Sequence, residues 1–330
     1  MEKLSHVEVI NLLLQLGIMI LFARLFGELA RRYKQPLVLG EIIAGVILGP
    51  SIFGMISPDL HALMFPASGD SYLVLDGVIN ISVVLLLFIA GMEVELDLVW
   101  QQGKKALITS IMSMIIPFSI GFLAVYLWPA LFGSLEEDQR LVLALFLGTV
   151  LSITALPVIA RILMDLNIFK SKLGMLIIAS AMIVDILGGL VFSVILNMMN
   201  SEGGTLSTGQ TVMITLLFTL LMLTLGKALI NKSLPWINKK FAWPGGVLSI
   251  AMVLCFLSAA FTEFIGIHAI FGAFIFGVAL GDSQHMSERA KEIVHQFINN
   301  IFGPLFFVSI GLYVNFVSNF DLVLVLVVII

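Results

Sequence analysis

A chain of 330 residues that is 60% hydrophobic and only 12% charged, with a mean hydropathy of +1.11, has too few polar residues to coat a water-soluble core. That excludes a soluble enzyme, a disordered chain and a nucleic-acid-binding domain, and the net charge of −4 tells less than where its 17 basic and 21 acidic residues sit. The single cysteine, Cys255, lies in an apolar run, so neither disulfides nor a cysteine-based metal or redox centre is expected, and no cofactor is called for.

Crossing about 30 Å of hydrocarbon takes roughly 20 apolar helical residues. Ten segments fit, over 7–30, 36–56, 72–92, 106–131, 141–164, 173–198, 209–230, 244–262, 264–281 and 301–318, and the chain runs apolar again from 320. These runs are continuous rather than alternating, so they read as helices and not as barrel strands. The first contains Arg24 and Glu28 and no cleavage-site pattern, which makes it a span rather than a leader. Residues 199–210, rich in Gly, Ser and Thr, read as an external linker between two halves, 1–198 and 211–330. Residues 282–300 are polar enough to lie on the cytoplasmic surface as an amphipathic helix. The last apolar stretch, 322–330, is too short to cross, so the sequence reads as a fragment ending after about ten and a half spans.

Basic residues fix an orientation. Alternate connections hold Arg31, Arg32 and Lys34; Lys104 and Lys105; Lys170 and Lys172; Lys232, Lys239 and Lys240; Arg289 and Lys291. The other set holds only Lys3 and Arg140. Positive loops face the cytoplasm, which puts the N-terminus outside.

Ionisable groups within spans are expensive and are therefore functional candidates. Asp185 is the foremost. It lies 12 residues after Leu173, about 18 Å along a helix and near mid-membrane. Such a carboxylate holds a proton or, having lost it, a cation; the alternative is an ion pair that fixes helix packing. In the preceding span, Pro157 removes a backbone donor, which gives either an ordinary proline kink or a broken helix, with Ser152 and Thr154 supplying hydroxyls beside the break. A broken helix at membrane depth is tolerated where it lines protein or water. Gly188 and Pro304 are further hinge candidates. Arg161 and Asp165, at i and i+4 near the cytoplasmic end of their span, read as an ion pair or a snorkelling pair, with a gating role as the further alternative. Glu41, flanked by Gly40, Gly45 and Gly49, is either structural or part of a cytoplasmic vestibule. Asn80 needs a partner, most simply on another helix. Glu263 and His268 flank an external hairpin. Ser309 can offer an oxygen to an ion or bond back within its own helix.

Several stretches in order then carry a resemblance: QPLVLGEIIAGVILGPSIFG (35–54), LLLFIAGMEVELDL (85–98), SITALPVIARIL (152–163), SAMIVDILGGL (180–190), TEFIGIHAIFGAFIFGVALG (262–281) and PLFFVSIGL (304–312). Together they resemble the second branch of the monovalent cation:proton antiporters, which includes bacterial sodium/proton exchangers, potassium efflux transporters and plant cation/proton exchangers. The resemblance implies an all-α polytopic membrane protein with inverted repeats, two discontinuous crossing helices and an essential aspartate, assembled as a homodimer. Residues 154–157 match the first broken helix and Asp185 the aspartate. The second crossing helix of the family would follow residue 320.

Two departures refine that expectation. Electrogenic members carry paired aspartates where this chain has Val184-Asp185, and they tend to carry a lysine in the helix that reads PLFFVSIGL here. One carboxylate without that lysine makes electroneutral exchange the simpler inference. The expected function is antiport of H⁺ against Na⁺ or K⁺ by alternating access around Asp185, with Ser152 and Thr154 completing a transient cation shell. The expected setting is a bacterial inner membrane, with any regulatory domain lying beyond residue 330. A ligand-gated cation channel on the same scaffold and a non-transporting sensor or assembly subunit are the alternatives. No catalytic motif marks an enzyme.

Overall fold

The computed structural model describes residues 4–94, 96–132, 137–153, 156–199, 208–241, 245–265, 268–283 and 286–316. Every regular element among them is helical. In order they are α1 (His6–Arg32), α2 (Leu37–Leu48), α3 (Phe53–Ile56), α4 (Pro58–Met64), α5 (Asp70–Met92), α6 (Leu96–Leu127), α7 (Glu137–Ser152), α8 (Leu156–Asp165), α9 (Lys172–Met199), α10 (Thr208–Leu221), α11 (Lys227–Lys240), α12 (Gly245–Phe264), α13 (Ala269–Gly281) and α14 (Glu288–Leu312). Among the described residues, seven helical stretches are long and apolar enough to cross a bilayer, so this is a multi-pass membrane protein.

Local chemistry sets the ends. Ser5 and Glu8 form a capping box that opens α1: the Ser5 hydroxyl accepts from the Glu8 amide at 3.3 Å, and Glu8 Oε2 accepts from the Ser5 amide at 2.7 Å. Pro50 cannot continue the helical ladder, so α2 stops at Leu48. The single span expected over 36–56 is therefore a 12-residue helix followed by the short α3. Gly69, with φ of 95°, supplies the left-handed turn into α5.

Two helices form the centre. α5 from Ser82 to Met92 and α13 from Gly272 to Gly281 are buried residue after residue, as expected of helices that are apolar all round. They meet backbone to backbone, since a Cβ on Gly277 would stand 2.3 Å from the Phe88 carbonyl oxygen. Beside that contact the Phe88 and Phe276 rings stack at 5.8 Å. α2 is wedged between α1 and α14 in the same way: a Cβ on Gly40 would lie 2.1 Å from Phe26 O, and one on Gly45 2.0 Å from Val308 O. Small residues let membrane helices approach this closely. Helices from before and after residues 199–210 thus share one core.

A second group comprises α6, α7 and α9. Gly121 and Gly148 bring α6 against α7, and the Ser110 hydroxyl reaches the carbonyls of Ala106 (2.6 Å) and Ser180 (3.0 Å), linking α6 to α9. α8 packs on α9 of this group and also touches α2 and α5, joining the two groups.

The segment expected as a surface helix over 282–300 and the span expected over 301–318 differ from this fold. They form one helix, α14, opened by the Ser287 cap at 3.3 Å from the Ala290 amide. Its polar half carries a buried stripe, Ala290, Val294 and Ile298, so it packs on the core rather than lying apart. Pro304 sits inside this helix without ending it, held by neighbours on both sides. The span expected over 209–230 extends to Lys240 through a π-helical segment, Met222–Gly226.

Candidate functional site

α7 ends at Ser152, Ile153 is not helical, and α8 begins at Leu156. The last carbonyls of α7 and the first amides of α8 thereby lose their helical partners at one place, leaving opposite partial charges there. Pro157 falls in the first turn of α8, where a missing N–H costs nothing because that amide has no helical acceptor. Two buried hydroxyls prepare the end of α7. Thr149 donates to Leu145 O at 2.7 Å and Ser152 donates to Thr149 O at 2.9 Å. Each spends its hydrogen on a carbonyl and keeps oxygen lone pairs for another partner.

α9 passes directly beside this point. A Cβ on Gly188 would lie 2.5 Å from Ile153 Cγ1, so the absence of a side chain at 188 lets α9 reach the non-helical residue. Asp185 belongs to the preceding turn of α9, after the buried Val184. Thr154, and the side chains of Asp185 and Pro157, lie outside the described residues.

A second polar cluster closes the opposite end of α8. Arg161 is 5% exposed and Glu41 3%. Arg161 Nη2 lies 3.5 Å from Glu41 Oε1 on α2, and Nε lies 3.5 Å from Asp165 Oδ1. Arg161 Nη1 donates to the side-chain oxygen of Asn299 on α14 and, at 3.3 Å, to its carbonyl. Asp165 Oδ2 also accepts from the Leu37 amide at the start of α2, at 3.1 Å. Asn167, at φ of 57°, ends α8 with a left-handed residue, and Ile168 N returns to Leu163 O at 3.0 Å. Nearby, His295 Nε2 stands 3.3 Å from the Met164 sulfur, and Lys170 pairs with Glu93 at 3.2 Å.

The structure therefore joins Glu41 to the expected Arg161–Asp165 pair and adds Asn299 and the Leu37 amide, which sequence reasoning missed. The Asn299-Asn300 doublet ahead of an aromatic-rich helix was the available signal. The remaining candidates stand apart from both places. Asn80 bridges no helices: its side chain donates to the carbonyl and carboxylate of Asp76, both at 3.0 Å and one turn away, because its face of α5 is exposed. Glu263 Oε2 accepts from the Ala269 amide at 2.7 Å and so caps α13. Ser309 bonds back to Phe306 O at 2.7 Å. Among the described residues, no three His, Cys, Asp or Glu side chains gather closely enough to hold a metal.

Residues 17–330 match the family described as "Sodium/hydrogen exchanger, transmembrane". The chain is 33% identical over 290 residues to the Na(+)/H(+) antiporter NhaS4 of Synechocystis sp., covering 88% of this chain and 70% of that protein. It is 32% identical over 293 residues to the K(+)/H(+) antiporter 1 of Saccharomyces cerevisiae, of which it spans 33%. The fold is similar to that of the sodium proton antiporter MjNhaP1 from Methanocaldococcus jannaschii, with a TM-score of 0.59 at 17% identity, covering 97% of this chain and 75% of that one.

Proposed function

We propose that this chain, which belongs to the transmembrane sodium/hydrogen exchanger family, is a transporter that exchanges H⁺ for Na⁺ or K⁺ by alternating access around Asp185. The observation that carries the reading is the meeting of Ile153, between α7 and α8, with Gly188, one turn beyond Asp185. An acid on that turn stands next to a place where helix-end dipoles and the Ser152 hydroxyl converge, which is what a dehydrated alkali cation requires. The names of the cyanobacterial and yeast relatives, one a Na(+)/H(+) and the other a K(+)/H(+) antiporter, support both cations.

Asp185 takes either a proton or a cation, with Ser152 and Thr154 completing the cation's shell. Loaded, the α6–α9 bundle shifts against the other helices and opens Asp185 to the opposite side. Empty, Asp185 is a bare charge whose dehydration resists the shift, and this cost couples the two fluxes. Val184 in place of a second acid supports one-for-one, electroneutral exchange. Basic residues in alternate loops support an external N-terminus and, through Lys170 and Lys172, a cytoplasmic α8–α9 connection. The working unit is a homodimer in a bacterial inner membrane. The external linker expected between the halves falls largely on residues 200–207, outside the described residues.

Asp185→Asn keeps the shape and removes the charge. In proteoliposomes with an internal pH dye it should abolish Na⁺- and K⁺-dependent proton flux, and undiminished saturable exchange would refute the reading.

A further inference from the structure

Five residues, about 7.5 Å of helix, separate Leu156 at the start of α8 from Arg161. Whatever holds Arg161 therefore holds the inner half of the broken helix and sets where its first turn stands. Its guanidinium is held by Glu41 on α2, by Asn299 on α14 and by Asp165 on its own helix. The Leu37 amide grips Asp165 as well. These contacts tie α8 to two helices of the other packing group, and all sit at its cytoplasmic end. Water is nearly excluded there, with Arg161 and Glu41 5% and 3% exposed. A buried ion pair of this kind adds less to stability than well-packed apolar residues would, so its use lies elsewhere, in specifying one geometry. Its geometry is also unsaturated. Among the described residues, Glu41 Oε2 and Arg161 Nε are buried without a hydrogen-bond partner, which leaves room for the same side chains to pair differently when α8 moves.

We propose that Arg161, with Glu41, Asp165 and Asn299, is an inner latch that positions the cytoplasmic half of the broken helix, and thereby sets the cation affinity at its other end. Arg161 is a positioning residue and never touches the cation. Release of the latch is the local event that frees α8 to move with the α6–α9 bundle. The idea rests on the antiport reading above and deepens it.

The test uses full-length protein in proteoliposomes with an internal pH dye, and Na⁺ or K⁺ titrations that separate KM from Vmax. Glu41→Gln and Asn299→Ala each loosen one grip, whereas Arg161→Gln removes them all. The cation KM should rise by roughly 2- to 30-fold in each. Arg161→Lys should fall between these and wild type, because an ammonium keeps the charge but not the planar fork. A cluster that serves folding alone would lower Vmax in proportion to recovered protein and leave KM unchanged, which would overturn the latch. Should Arg161→Gln fail to fold, the two milder variants decide by the same criterion. Asp185→Asn, measured alongside, separates the two ideas. Normal exchange in that variant sinks the antiport reading itself. Lost exchange there, with unshifted KM in the latch variants, sinks the latch alone.

Discussion

Replacing Gly188 with Ala should damage the protein, and trimming Ile153 should repair it. The new Cβ would stand 2.5 Å from Ile153 Cγ1 and 2.7 Å from Cδ1. Carbon atoms rest at about 3.5–4.0 Å, so an overlap of about 1 Å must be relieved. Either Ile153 leaves its rotamer, at roughly 0.5–1.5 kcal/mol, or α9 retreats from the end of α7. The overpacking amounts to about 1–3 kcal/mol, partly offset by the better helix propensity of Ala. Ile153→Ala alone is also destabilising, because it empties the space beside Gly188. In the double variant the added methyl occupies that space, and the two changes should couple favourably by about 0.5–3 kcal/mol. Thermal unfolding of the four proteins in one detergent, followed by intrinsic fluorescence, measures this coupling. The cation KM of the same four in vesicles shows whether the contact also shapes transport. If the two substitutions simply add, to within about 0.5 kcal/mol, α9 does not meet the chain at Ile153, and the site loses its main support.

Gly45→Ala should be worse than Gly188→Ala, at the upper end of about 1–3 kcal/mol or beyond, since its Cβ would meet a backbone oxygen, Val308 O, at 2.0 Å. Gly17→Ala, on the same bundle but with nothing within 4 Å, should be neutral or stabilising by up to about 1 kcal/mol, and thermal unfolding compares the two directly. His61 in α4 lies outside the spans, and burial holds its imidazole below the ordinary 6.5. A depressed histidine favours the folded state above its unfolded pKa, and that advantage is lost as pH falls through the folded value. Unfolding temperature should therefore drop as pH falls below about 6.5, and His61→Gln should flatten that part of the profile; an unchanged slope would show that the drop comes from other groups.

Hydropathy made the spans legible because bilayer thickness translates directly into helix length, and Pro157 with Ser152 and Thr154 marked where one span divides. Continuity was harder to read. The window over 282–300 averages a polar face with a buried stripe, so the first half of α14 looked like a separate surface helix. Pro304 looked like a break because sequence does not show the neighbours that hold both sides of a proline. Partners at helical spacing were readable, as Arg161–Asp165 was, and Asp76–Asn80 could have been. Partners 120 and 138 residues away, Glu41 and Asn299, were not, because which helices touch depends on glycines whose backbones pair in ways no periodicity encodes.

The two helix groups are held together by different physics, and the difference bears on movement. Within the central group, Gly40, Gly45, Gly91, Gly277 and Gly281 press backbone on backbone. Such contacts fit in one register only, so sliding by a fraction of a turn would drive a side chain into a carbonyl. Between the groups, α8 meets α2 and α5, and it packs into the shared core through larger side chains, Leu163 with the partly buried Ile159, Ile162 and Met164. Side chains of that kind can exchange rotamers and accept a second arrangement. The directional contacts between the groups are the polar cluster at the end of α8 and the nearby Lys170–Glu93 pair, and on the latch proposal the cluster is made or broken as a unit. A scaffold rigid in its backbone, a partner bundle joined by deformable side chains and a directional polar cluster between them are together the mechanical conditions for a bundle that switches between two positions rather than drifting among many.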